Sequence, residues 1–141
     1  MKKKTVYLTR RERFSAAHVL KNDNLTNTEN KNIFGKCLNM HGHNYHMFIT
    51  VKGQVEQKTG FVCDLKELSV VIKKYIIDKL DHQFLNEVEF MKGKISSTEN
   101  LCISVWDELE EIMRSKLKCE LHCVKIYETE NNIFEYFGNN N

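Results

Sequence analysis

From His43 to Lys52 the chain alternates with a period of two. His43, Tyr45, Met47, Ile49 and Val51 fall on one side; Asn44, His46, Thr50 and Lys52, with the apolar exception Phe48, fall on the other. Side chains of an extended strand point alternately to opposite faces, so the pattern describes a strand with one face in a core. This stretch restricts the fold most, because a slip of one residue would turn its whole apolar set into water. Chemistry sits at its start. Cys37 stands four residues ahead of the His-x-His pair His41 and His43, whose side chains leave the strand from the same face. Gly42 between them carries no side chain to crowd the imidazoles and lets the backbone approach closely. A third imidazole is available at His18. Three neutral imidazoles around one ion leave a fourth position open, the arrangement of a catalytic rather than a structural zinc site.

At 141 residues the chain is expected to form one domain spanning 1–141, long enough for a true core and too short for two. The formal charge of +2 gives no reason to expect nucleic acid or an acidic membrane as a partner. Met1-Lys2-Lys3-Lys4 is followed by no sustained apolar run of the kind a secretory leader has, and no stretch is long enough to span a bilayer. Five irregularly spaced cysteines fit free thiols in a reducing compartment, so the expected location is cytoplasmic.

A first strand is expected from Thr5 to about His18, followed by a polar connection, Lys21 to Met40, that ends at the candidate site and so reads as a binding loop. Thr26-Asn27-Thr28-Glu29 can open one short helical turn in it. Asp64, with Glu67 reaching back, caps a helix that ends near Leu80 and buries Leu65, Leu68, Ile72, Tyr75 and Ile76. Ser96-Ser97-Thr98-Glu99 is a capping-box pattern opening a second helix, with Leu101, Val105, Leu109, Ile112 and Met113 inward. Leu121 to Glu128 and Ile133 to Phe137 alternate as strands around an Asn131-Asn132 turn. The expected fold is α+β, in the order β-β-α-α-β-β, with a four-stranded antiparallel sheet. Two helices cover only one face of such a sheet, and apolar residues on the other face would need a partner, so an oligomer is expected.

Seven segments in one order resemble the 6-pyruvoyl-tetrahydropterin synthase family, which includes the bacterial 6-carboxytetrahydropterin synthases. They are Phe14-Ser15-Ala16-Ala17-His18, Phe34-Gly35-Lys36-Cys37, His41-Gly42-His43-Asn44-Tyr45, Thr59-Gly60-Phe61-Val62, Leu80-Asp81-His82, Ser97-Thr98-Glu99-Asn100 and Tyr127-Glu128-Thr129. The resemblance implies a tunnelling fold in which trimers close a β-barrel and two trimers stack into a homohexamer. It implies a carbon–oxygen lyase that converts 7,8-dihydroneopterin triphosphate to 6-pyruvoyl-tetrahydropterin with loss of triphosphate. Carried onto this chain, His18, His41 and His43 would hold zinc (Zn2+) and Cys37 would accept the proton. Asp81 and His82 would form a relay reaching the site from a neighbouring subunit. Glu128 would anchor the pterin, assisted by Ser97 and Thr98. The Cys-x-x-x-His-x-His spacing is two residues shorter than in many animal synthases and is similar to the carboxytetrahydropterin branch. Asn30 to Cys37 and Glu128 to Asn132 are more similar to the pyruvoyl branch.

These residue types suit that chemistry. A Lewis-acidic ion stabilises charge developing on hydroxyl-bearing carbons, a thiol beside a cation ionises more readily and can serve as a base, and a carboxylate accepts two N–H bonds from an aminopyrimidine edge. Nothing resembles a P-loop, so Lys36 and the arginines at 10, 11 and 13 are the candidates for the triphosphate. Plainer readings stand beside each role. Cys37 can instead close the metal site as a fourth ligand, leaving a zinc module that binds a pterin or a partner without turnover. Asp81-His82 can be a helix stop, Ser97-Thr98 a cap, and Glu128 an exposed strand residue.

Overall fold

In the computed structural model, which describes residues 4–139, two long strands set the frame. β1 (Thr5–His18) and β2 (His41–Gln54) pair antiparallel from Thr5↔Gln54 to His18↔His41. The pairing therefore ends with two histidines opposite each other. Between the strands lies α1 (Asn27–Phe34), closed at its start by a full capping box between Thr26 and Glu29, followed by a 3₁₀ turn, Gly35–Leu38. The binding loop thus contains two turns of helix where the sequence predicts one turn.

α2 (Leu65–Ile72) starts at Asp64, whose carboxylate accepts the N–H groups of Lys66 (2.7 Å) and Glu67 (3.1 Å). Glu67 does not reach back, so this cap is one-sided. The helix runs on through one π turn, Lys73–Ile77, into α3 (Asp78–Leu80). Leu68, Val71, Ile72, Ile76 and Leu80 are buried, whereas Leu65, expected in the core, lies in the first turn and is 59% exposed. α4 (Thr98–Leu117) is capped by Ser97, which accepts the Asn100 N–H. The cap therefore lies one residue later than a box built on Ser96 and Glu99 requires, and Ser96 is left for another task. Leu101, Val105, Leu109 and Met113 are fully buried on its inner face.

The sheet has five strands rather than four. Its order is β3-β1-β2-β4-β5, and β3 (Gln83–Phe84) runs parallel to β1 at Ala16 and Ala17. The other pairings, including β4 (Glu120–Tyr127) with β5 (Ile133–Tyr136), are antiparallel. A bulge opposite Thr50 and Val51 breaks the alternation of β4, so Leu121, Val124 and Ile126 all face the core. Tyr45, Met47, Ile49 and Val51 are wholly buried against the helices, as the period of two requires. Burying each large apolar side chain contributes about 1.5–3 kcal/mol, so this face holds the fold together. The opposite face mixes polar residues with the exposed apolar side chains Tyr7 and Ile133. Phe48 and Tyr127 pair their rings there (5.4 Å), but Thr9, Arg11, Arg13, Asn44, His46 and Thr50 surround them. All five cysteines are unpaired. Among the described residues no helix is long and apolar enough to cross a membrane.

Candidate active site

The register that ends on His18↔His41 also places Ala16 opposite His43. His18, His41 and His43 therefore share the helix-facing side at one end of the sheet. Their ring centroids lie 4.5, 5.2 and 5.2 Å apart, and one nitrogen from each lies within 4.8 Å of the others. Gly42 permits this, since a Cβ there would come 3.2 Å from the Ala16 carbonyl oxygen across the ladder.

Two of the three imidazoles are held through Nδ1. His18 is 1% exposed, and its Nδ1 lies 2.7 Å from the Ser96 carbonyl oxygen, to which it donates. Its Nε2 is buried without a hydrogen-bond partner. An orphaned lone pair in a dry site is costly, and a divalent cation would satisfy it. His41 Nδ1 is likewise 2.7 Å from the Asn39 carbonyl oxygen, which leaves its Nε2 as the free acceptor. A backbone carbonyl on the distal nitrogen fixes the tautomer of a metal-binding histidine. Burial, with lesser pushes from the neighbouring imidazoles, holds His18 below its usual pKa, and burial does the same for His43. Both are therefore kept in the neutral, ligating form. The donor set fits a tetrahedral or larger site for zinc or a similar ion.

The other predicted residues fall into two groups. Glu128, just beyond β4, accepts a hydrogen bond of 2.5 Å from the Thr98 hydroxyl at the start of α4. Its charge opposes the downward shifts of His18 and His43. Tyr45 lies beneath, stacked on Phe14 (4.8 Å) and edge-on to His43 (5.5 Å). Its hydroxyl is buried, and burial, with the Glu128 charge adding to it, pushes the phenol well above its usual pKa. Ser97 accepts the Asn100 N–H and keeps its own proton free to donate. Cys37, half-buried, lies in the 3₁₀ turn, and its carbonyl accepts the Leu20 N–H (2.9 Å) two residues past His18. It is not part of the triad's cluster.

Asp81 and His82 form the second group. Neighbouring residues rarely face each other, but His82 takes a left-handed backbone (φ 61°) that folds its ring back. Its Nδ1 then lies 3.0 Å from Asp81 Oδ2. The elbow is tied to β1 on both sides: the Ser15 N–H donates to Asp81 Oδ1 (2.9 Å) and the His82 N–H to the Ser15 carbonyl (2.6 Å). The Ser15 N–H, more than His82, holds the Asp81 carboxyl below its usual pKa. The His82 side chain is 82% exposed. It lines an open cleft with His43, Gly42 and Asn44. Of the phosphate candidates, Arg10 is engaged with Glu12 (2.7 Å), and Arg11 and Arg13 lie on the uncovered face of the sheet.

Two partners of the triad have no side-chain signature. The Ser96 and Asn39 carbonyls are backbone groups, and only the unused Ser96 in the Ser-Ser-Thr-Glu run hints at one of them. Comparison with known proteins agrees with this geometry. Residues 7–139 match the family model described as 6-pyruvoyl tetrahydropterin synthase. The 6-pyruvoyl tetrahydrobiopterin synthase of Dictyostelium discoideum is 47% identical over 136 residues, covering 96% of this chain and 98% of that one. The human synthase of the same name is 39% identical over 134 residues, covering 93% and 90%. The structure of Caenorhabditis elegans 6-pyruvoyl tetrahydropterin synthase superposes with a TM-score of 0.90 at 38% identity, covering 99% of this chain and 100% of that one.

Proposed function

The chain belongs to the 6-pyruvoyl tetrahydropterin synthase family, and from that premise we propose that it converts 7,8-dihydroneopterin triphosphate to 6-pyruvoyl-tetrahydropterin with elimination of triphosphate. The observation that carries the reading is the buried His18 Nε2, unpartnered at the centre of three converging imidazoles. His18, His41 and His43 would hold zinc. When bound, the ion supplies Lewis acidity toward the side-chain hydroxyls of the substrate.

The remaining work belongs to the chain's own groups. Glu128 accepts N–H bonds from the aminopyrimidine edge of the pterin, and the Thr98 hydroxyl, already donated to its Oε2, orients the carboxylate. Cys37 takes the proton from the side-chain carbon next to the ring. Asp81 fixes the tautomer of His82, leaving Nε2 to exchange a proton with substrate. The exposure of His82 suits a group that completes a site on a neighbouring copy, as a hexamer of two stacked trimers would require.

Product analysis by mass spectrometry after incubation with 7,8-dihydroneopterin triphosphate tests the reading. Release of triphosphate without acetaldehyde is expected. Acetaldehyde with a carboxylated pterin would move the chain to the 6-carboxytetrahydropterin branch, and recovery of intact substrate would leave a zinc-containing binding module.

A further inference from the structure

β3 is too short to accompany β1 to its end. It pairs with Ala16 and Ala17 and stops at Phe84, and the chain then turns into a 3₁₀ turn, Leu85–Glu87. β1 ends at His18, and the chain edge at Val19, the residue just after it, would lack a ladder partner on that side. The Asn86 side chain supplies one. Its Oδ1 accepts the Val19 N–H at 2.9 Å and its Nδ2 donates to the Val19 carbonyl at 2.9 Å. A carboxamide presents one donor and one acceptor side by side, as a peptide group does, so it can bond both backbone groups of one residue.

The contact does not stop at Val19. The Ser96 hydroxyl lies 3.1 Å from the Val19 carbonyl oxygen and 3.1 Å from Asn86 Oδ1, and the Ser96 carbonyl takes the His18 Nδ1 hydrogen at 2.7 Å. Ser96 and His18 are each 1% exposed. Hydrogen bonds from Asn86 and Ser96, with the peptide link between His18 and Val19, thus close a ring at the end of β1, and the His18 Nε2 stays unpartnered.

We propose that Asn86 is a positioning residue for the metal-binding imidazole. Its carboxamide replaces the missing strand neighbour and, through Val19 and Ser96, holds His18 with Nδ1 on a carbonyl and Nε2 toward the ion. The inference rests on the reading of the triad as a metal site.

The test is a titration of the metal-free full chain with Co2+, whose visible d–d absorption reports coordination, alongside Asn86→Ala and Asn30→Ala. Asn30 is also buried, and it staples the Asn22–Thr26 loop through its own carboxamide without touching the triad or Ser96. It therefore controls for stability alone. Asn86→Ala should lower Co2+ affinity by roughly ten- to a hundred-fold and alter the absorption band, whereas Asn30→Ala should lower the melting temperature and bind Co2+ as the wild type does. Asn86→Asp keeps the acceptor for Val19 N–H and loses the donor, so it carries the same test, with a smaller loss, if the alanine chain does not fold. Wild-type affinity and spectrum in both Asn86 variants, or equal losses in Asn86→Ala and Asn30→Ala, would overturn the proposal while leaving the metal site standing. No Co2+ binding by the wild type would remove the metal reading itself, and the inference with it.

Discussion

The molecule holds two groups of histidine chemistry, and their surroundings are opposite. His18, His41 and His43 lie where two long strands end in register; His18 is wholly buried, and it and His41 are tied through Nδ1 to backbone carbonyls. His82 stands on a left-handed elbow, 82% exposed, with a carboxylate as its partner. Burial keeps His18 neutral and fixed, which suits a ligand that must not take a proton. Exposure and an adjacent carboxylate suit a group that must exchange one. On the proposed reading the same side chain serves coordination in one place and proton transfer in the other, and the difference comes from backbone partners and solvent.

The largest test of this contrast is His18→Ala. It should lose bound metal and turnover together, as seen by elemental analysis and product formation; retained metal would erase the distinction. Cys37→Ala and His82→Ala should each cut turnover by about 10²–10⁴-fold with metal content unchanged. Loss of metal from the Cys37 variant would make that thiol a ligand instead. Glu128→Gln should weaken pterin binding by about ten- to a hundred-fold in a fluorescence titration, since a hydrogen bond to a charged group is worth roughly 1.5–3 kcal/mol. Unchanged affinity would reject the anchor.

Much of this was legible in the sequence, for reasons that mark its limits. The period of two gave the buried face of β2, and β1 spans the expected Thr5 to His18. The Thr26 cap was readable because both halves of its box are side chains. What stayed hidden was carried by backbone. The π turn at Lys73–Ile77 has no residue signature, and Leu65, apolar and at core spacing, stands exposed in the first turn of α2. β3 has two residues and no period to detect. The β4 bulge turns an expected alternation into an irregular one. The carbonyls of Ser96 and Asn39 that fix the imidazoles are present in any sequence, so only the folded chain reveals which ones are used.

Two smaller effects are read in stability. Asp64→Ala removes the α2 cap far from both groups and should cost about 1 kcal/mol in denaturant unfolding, with metal content unchanged. Asp81 contributes a pH-dependent share. Its folded pKa lies below the unfolded value near 3.9, so the stability it adds is present above that value and is lost as pH falls through the folded one. Asp81→Asn should flatten that acid limb of the unfolding midpoint slightly, and an unchanged limb would show that the Ser15 N–H does not favour the charged form.

The most direct test of the central claim is the metal content of the purified wild-type chain. The account predicts about one zinc per chain, lost in parallel with turnover on dialysis against a chelator and restored with it on adding zinc back. Protein that contains no divalent ion, takes none up on titration, and still turns over dihydroneopterin triphosphate would contradict it.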